Sequence, residues 1–172
     1  MKLSIRETAI FAMLGTLMYL SKILLEFLPN IHLLAVLTIS YTVVYRQKAL
    51  YPIYVYVLLL GLMNGFSMWW IPHLYLWTIL WGVTMLLPKK MPKMVAPIIY
   101  IIVAGCHGFL YGTLYAPAQA IMFGLDFNGM IAWIIAGIPF DITHGISNMI
   151  GGLLIVPVIS VIRLAERTHA KS

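Results

Sequence analysis

The sequence predicts an all-α membrane protein: a bundle of six transmembrane helices with both termini in the cytoplasm. Hydrophobic residues make up 62% of the 172 residues and charged residues only 9%, whereas soluble domains carry about 25% charge. Such a chain has too little polar surface to cover an exterior that faces water. Lys and Arg also cluster in alternate connections between the apolar stretches. We therefore expect one domain over 1–172, whose N-terminus is the first span rather than a cleaved signal.

The apolar stretches approach the length of about 20 residues that a spanning helix needs. Pro29 closes the first span, because proline cannot continue a helix without losing a hydrogen bond. Arg46 follows the second span, Gly65 breaks the third, Pro88 stops the fourth and Arg163 follows the sixth. The predicted limits, in order, are about 5–28, 31–45, 49–65, 70–87, 94–115 and 137–162.

Residues 116–136, between the fifth and sixth spans, are too long for a tight turn. They are apolar but interrupted by Gly124, Asp126 and Asn128. We predict a partly helical external cap segment that lies on the membrane or dips into it. The alternative is a seventh span that begins near Gly129 and is kinked at Pro139.

The basic residues decide between these topologies. Cytoplasmic loops carry the excess of Lys and Arg, and with six spans every basic residue except Lys22 falls on one side. An odd number of spans would break this pattern. The same distribution explains the net charge of +6 by contact with anionic lipid rather than nucleic acid. The residues on this side are Lys2, Arg6, Arg46, Lys48, Lys89, Lys90, Lys93, Arg163, Arg167 and Lys171.

Polar and aromatic side chains gather instead near the external ends of the spans. Asp141, His144 and Asn148 are spaced i, i+3 and i+7, so they share one helix face. Ionisable groups in hydrocarbon cost a few kcal/mol, and we expect these residues to line a pocket that opens outward. Helix capping by Asp141 and interhelical hydrogen bonding by the other two remain alternatives.

Aromatic residues complete the predicted pocket and would stack on a flat ring, a pyrimidine or pyridine ahead of a corrin or flavin. For Trp69 and Trp70, a place in an interfacial aromatic belt is the alternative. His107 is assigned to helix packing, and Lys22 with Glu26 to mutual neutralisation. The other predicted substrate-binding residues are Asn64, Trp69, Trp70, His73, Tyr75, Trp77 and Tyr111.

Several kinds of chemistry have no signal in the sequence. A single cysteine, Cys106, excludes an internal disulfide. The histidines lack the spacing of metal ligands, so no metal or other cofactor is expected. No phosphate-binding glycine loop and no nucleophile elbow occurs. We therefore do not expect the chain to be an enzyme or to hydrolyse ATP.

Small residues form a stripe on the first span that a neighbouring helix could approach closely. The stripe consists of Thr8, Ala12, Gly15 and Thr16. Packing within the chain's own bundle is the alternative to a partner protein.

These features together resemble the S components of energy-coupling-factor (ECF) transporters, over nearly the whole chain. The similarity lies in the length, the six spans, the opening "RETAIFA" and the ending "PFDITHGISNMIGGLLIVPVI". In that family, small residues on the first helix contact a transmembrane coupling subunit. Here the register Thr8-x-x-x-Ala12-x-x-x-Thr16 replaces the family's alanines.

The resemblance implies a substrate-binding subunit in the cell membrane of a prokaryote. It would capture a vitamin or vitamin precursor outside and deliver it inward with a coupling subunit and two ATPase subunits. Two other classes remain open: a stand-alone proton-coupled transporter with Asp141 and His144 as relay, and a membrane enzyme that acts on lipid.

Overall fold

The protein is all-helical, as predicted. The computed structural model describes residues 3–28 and 30–169, with side chains up to residue 168, and no strand occurs in these ranges. Lys2, Pro29 and Lys171, which contribute to the predictions above, lie outside them. Short 3-10 turns occupy Arg46–Ala49 and Met68–Trp70. The α-helices are α1 (Ile5–Leu24), α2 (Leu34–Tyr45), α3 (Leu50–Asn64), α4 (His73–Leu86), α5 (Val95–Phe109), α6 (Tyr111–Phe123), α7 (Phe127–Gly152) and α8 (Ile155–His169).

Three segments are long and apolar enough to cross a membrane: Ile5–Leu24, Val95–Phe123 and Phe127–Gly152. The second contains α5 and α6 in succession. The helices α2, α3 and α4 have 12, 15 and 14 residues, fewer than the roughly 17 of the shortest usual spans. Three helical segments therefore have the length and composition of membrane spans, and the number of spans stays a prediction.

The predicted external cap segment, 116–136, is divided between two long helices, which corrects its limits. Gly124, with φ of +65°, ends α6. Asp126 then caps α7, because its side chain accepts a hydrogen bond of 2.7 Å from the Gly129 amide. Gly124 and Asp126, which interrupt the apolar segment in the sequence, therefore mark the end of one helix and the start of the next. α7 begins close to Gly129 and runs through Pro139, as the alternative reading required.

The predicted sixth span, 137–162, crosses a break between α7 and α8. Leu153 and Leu154 form a turn there, and their amides donate to the carbonyls of Ile150 and Gly151. α8 then carries Arg163, Glu166 and Arg167 together with apolar residues, so it is amphipathic. The apolar run of the sequence had concealed this break.

The core is centred on α2, whose residues from Leu34 to Thr42 are all buried. A helix that is apolar all round is typical of the interior of a bundle, which explains why so short a helix is stable here. α5 and α6 pack antiparallel to α7, and a Cβ atom on Gly108 would lie 2.7 Å from the Cα atom of Gly145. The backbones of α5 and α7 therefore approach as closely as two glycines allow.

Ionic contacts tie the helices together at one end of the bundle. Glu7 of α1 pairs with Lys48, and Arg6 lies 3.6 Å from Glu166 of α8. Tyr45 of α2 also donates a hydrogen bond of 2.9 Å to Glu166. We call this the basic end, because Arg6, Arg46, Lys48 and Lys89, all predicted to be cytoplasmic, lie there.

Candidate functional site

A compact group of rings lies in the interior between the helices. His144 of α7 is at its centre, with ring centroids 4.6 Å from His32 and 4.7 Å from Tyr111. Trp77 lies 5.9 Å from His32 and 5.5 Å from His107. We call this group, with Asn148 one turn below His144, the polar–aromatic cluster. It consists of His32, Trp77, His107, Tyr111, His144 and Asn148.

Five separate parts of the chain supply these side chains. His32 precedes α2, Trp77 lies on α4, His107 on α5, Tyr111 on α6, and His144 with Asn148 on α7. The close approach of Gly108 to α7 brings His107 and His144 into one layer. Side chains at i and i+4 share a helix face, which places Asn148 on the same side of α7 as His144.

Five buried polar atoms of the cluster have no hydrogen-bond partner in the described part of the chain. They are His32 Nδ1, Trp77 Nε1, His107 Nδ1, His144 Nε2 and Asn148 Oδ1. Asn148 is fully buried and His144 is 4% exposed. A buried polar group without a partner costs about 1–3 kcal/mol. These five atoms are therefore available to bond a ligand or ordered water.

Some polar atoms of the cluster do have protein partners, and these bonds fix the orientation of the rings. His107 Nε2 lies 3.2 Å from the Leu76 carbonyl. Asn148 Nδ2 donates to the Ala104 carbonyl at 3.2 Å, which leaves its oxygen as the free acceptor. The Tyr111 hydroxyl is 3.5 Å from His73 Nε2. These bonds hold the His107 and Asn148 side chains in place, while His107 Nδ1 and Asn148 Oδ1 have no partner among the described residues.

Asp141 bonds to the backbone of a neighbouring helix. Its two carboxylate oxygens accept hydrogen bonds of 2.9 and 3.1 Å from the Gly112 amide. Gly112 lies in the first turn of α6, where amide groups have no partner within the helix, and Leu110 provides no side-chain cap. Asp141 therefore caps α6 from a neighbouring helix. The alternative in which Asp141 caps the start of its own helix is wrong, because Asp141 lies inside α7 and the helix it caps is α6.

The other predicted pocket residues fall into two groups. Trp77, Tyr111 and His73 belong to the cluster or contact it directly. The rest support the surrounding connections: Trp70 donates to the Val57 carbonyl at 2.7 Å, Tyr75 donates to Leu114 at 2.8 Å, the Trp69 carbonyl accepts from Tyr115 at 3.1 Å, and the exposed Asn64 accepts from Tyr19 at 3.3 Å. These four do not reach the cluster in the structure.

Two cluster residues were not predicted as substrate-binding. His32 had no place in the predicted pocket, and His107 was assigned to packing. A signal was available, since four of the five histidines of the sequence lie in or beside the cluster. Histidine is expensive to bury in an apolar chain, so its repeated occurrence pointed to a common location.

The cluster contains no Asp, Glu, Lys or Arg side chain. Lys22 at the end of α1 and Glu26 just after it pair with each other at 3.0 Å. No three His, Cys, Asp or Glu side chains within the described ranges are arranged as metal ligands. The arrangement suits an uncharged ligand with both hydrogen-bond donors and acceptors.

The small-residue stripe of α1 separates into two faces. Gly15 is buried, and a Cβ atom there would lie 2.5 Å from Val55 and 2.7 Å from the Pro52 carbonyl. Gly15 therefore serves the packing of α1 on α3, which was the alternative for the stripe. Thr8, Ala12 and Thr16 are exposed. The two threonine hydroxyls bond to backbone carbonyls of their own helix, so their methyl groups make the stripe apolar.

Comparison with known proteins gives no relative for this fold and site. No family model matches the chain, and neither a curated protein nor a solved structure matches it significantly.

Proposed function

We propose that the chain is the substrate-binding membrane subunit of an ECF-type importer. It captures an uncharged vitamin-type molecule and releases it inward with the help of a coupling subunit and two ATPase subunits. In this proposal the chain spans the cell membrane of a prokaryote six times, with the basic end in the cytoplasm. The chain itself catalyses no reaction.

The observation that carries the proposal is the set of unpartnered polar atoms in the polar–aromatic cluster. Helix packing alone would favour apolar residues at these positions, because an unpaired buried polar group is destabilising. Rings on several sides and a few fixed polar atoms are the usual composition of a small-molecule site. A flat heteroaromatic ligand could use both features, by stacking on Trp77 or Tyr111 and by bonding to the imidazoles.

The exposed face of α1 supports the coupling part of the proposal. Thr8, Ala12 and Thr16 present small side chains at i, i+4 and i+8, which lets another helix approach closely. Their own helix satisfies the threonine hydroxyls, so docking leaves no polar group unpaired. The stripe begins beside Arg6 and Glu7 at the basic end, where a cytoplasmic ATPase module would attach.

The test begins with mass spectrometry of small molecules that co-purify with the protein. The compound found is then titrated against His144→Phe and Asn148→Leu, which keep an approximate shape but remove hydrogen-bonding atoms. Each should bind about tenfold or more weakly, as expected for loss of one to two hydrogen bonds in a buried site. The matched control is Thr143→Val on α7, because Thr143 is exposed and its hydroxyl bonds to the Pro139 carbonyl. Equal affinity of all three variants and the wild type would contradict the proposal.

The purified protein can also be used to distinguish an importer subunit from a stand-alone proton-coupled transporter. The rings of His32, His144 and Tyr111 pack in succession, with His73 near the Tyr111 hydroxyl, and histidine can carry protons near neutral pH. Uptake into liposomes driven by a proton gradient, by this chain alone, would favour that alternative. Uptake that requires the coupling module and ATP would favour the importer subunit.

A further inference from the structure

An apolar groove runs along the outside of the bundle between α3 and α4. It has a volume of about 700 Å³ and is lined by Leu50, Tyr54, Val55 and Leu58 of α3, with Trp81 of α4 opposite. Leu50 and Leu58 are eight residues apart, so the groove follows α3 for about 12 Å. It begins at Gln47, beside the basic end, and extends toward the middle of the bundle.

A second pocket, of about 400 Å³, lies at the basic end of this groove. Its lining includes Arg46, Lys48 and Lys89, and it shares Gln47 with the groove. Lys48 is balanced by its ion pair with Glu7. Arg46 and Lys89 have no carboxylate partner in the described part of the chain. Two uncompensated positive charges therefore stand where an apolar groove ends.

Arg46 is held in an unusual backbone conformation at this point. Its φ is +54°, a region that favours glycine, and it lies directly after the last residue of α2. Glycine or asparagine is the common choice where a helix ends with positive φ. The guanidinium donates to the Met85 carbonyl at 2.7 Å, and its buried Nε atom lacks a partner among the described residues. An arginine at such a position brings a positive charge to the pocket at the expense of backbone strain.

We propose that the groove and the basic pocket together bind one anionic phospholipid. The phosphate lies against Arg46 and Lys89, and an acyl chain occupies the groove along α3 as far as Leu58. Charge complementarity selects the headgroup, and the apolar lining suits hydrocarbon. The site lies on another surface from the polar–aromatic cluster, so it is independent of the proposed transport function.

The test is lipid binding to the purified full chain in detergent, measured by native mass spectrometry with phosphatidylglycerol and phosphatidylcholine as probes. A basic residue near an anionic lipid contributes a factor of about five in binding. Lys89→Gln should therefore weaken phosphatidylglycerol binding about fivefold, and Lys89→Gln with Arg46→Gly about 30-fold. Phosphatidylcholine binding should stay within about twofold, since it carries no net charge for these residues to attract.

Two controls separate the site from general attraction and from damage to the fold. Lys90→Gln with Lys93→Gln removes two charges from the same connection, but neither residue lines the pocket, so phosphatidylglycerol binding should persist. Arg46→Gly also relieves the positive φ, so its unfolding temperature should stay near that of the wild type. Leu58→Trp should block the groove and weaken both lipids, whereas Leu62→Trp, exposed and outside the groove, should weaken neither. Equal losses from the Lys89 and Lys90/Lys93 changes, or no headgroup preference in the wild type, would overturn the proposal.

Discussion

The structural role of Asp141 leads to a prediction that separates stability from ligand binding. Asp141→Ala removes the acceptor of the two contacts to the Gly112 amide at 2.9 and 3.1 Å. A hydrogen bond to a charged group contributes about 1.5–3 kcal/mol, and a buried amide left unpaired costs a similar amount. We expect Asp141→Ala to lose about 2 kcal/mol of stability, which lowers the unfolding temperature by about 4–8 °C. Asp141→Asn keeps one acceptor oxygen and should lose about half as much.

Gly112 provides an independent way to break the same contact. A Cβ atom on Gly112 would lie 2.5 Å from the Asp141 Oδ2 atom, so Gly112→Ala displaces the carboxylate. If the contact is the cause, the double variant Gly112→Ala with Asp141→Ala should lose less stability than the sum of the single variants. The matched control is Gly137→Ala on α7, where nothing lies within 4 Å of the added atom. This change should stabilise the helix by about 0.5–1 kcal/mol.

The assay is thermal unfolding of each variant in the same detergent, followed by titration with the co-purified ligand. Asp141→Ala should retain ligand affinity within about threefold, because affinity lost by a buried site contact is typically larger. The reasoning is refuted if Asp141→Ala unfolds at the wild-type temperature. It is also refuted if the variant loses affinity as strongly as His144→Phe, since Asp141 would then belong to the ligand site.

Three further predictions concern helix packing, partner docking and a cluster residue that the sequence did not reveal. Gly108→Ala places a methyl group 2.8 Å from the His144 carbonyl, so it should lower the free energy of unfolding by about 3 kcal/mol and weaken ligand binding. Gly82→Ala, with open space around it, should have neither effect in the same unfolding and titration assays. Ala12→Leu should abolish co-purification with the coupling module and leave the unfolding temperature unchanged, whereas Gly15→Ala should lower the unfolding temperature because α1 must move away from α3. If Ala12→Leu still forms a normal complex, the stripe is not part of the interface. His32→Phe should reduce ligand affinity about fivefold or more without loss of stability, because it keeps a ring of similar shape and removes an unpartnered nitrogen. Full affinity in a calorimetric titration would exclude His32 from the site.

The sequence predicted the helical fold well because composition alone constrains it. Backbone groups inside a membrane must be satisfied within the chain, and a helix does this for any apolar sequence. Helix ends were less accurate. Gly and Asp occur both in loops and where one helix ends and the next begins. Only the backbone conformation shows that Gly124 ends α6 and that Asp126 caps α7. The break at Leu153 and Leu154 had no sequence signal, because both residues are typical of helices.

The candidate site was predicted in part, and the failures have a common reason. His144 and Asn148 were found because helical spacing places them on one face. Asp141 shares that face, but its role depends on an amide of another helix, Gly112, which spacing within α7 cannot show. His32 precedes α2, where no periodicity applies. Contacts between helices therefore decide which members of a polar face keep an unpartnered atom and which hold the fold together.

The electrostatic character of the cluster bears on how transport could be driven. Coupling to protons requires a group that changes charge as it alternates between two environments. Asp141 is the carboxylate nearest to the cluster in the chain, and two hydrogen bonds to Gly112 hold it at the start of α6. A carboxylate engaged with a backbone amide in this way is poorly placed to carry a proton between two environments. This favours a subunit that binds its ligand and depends on a partner, docked on the exposed stripe of α1, for the energy of release.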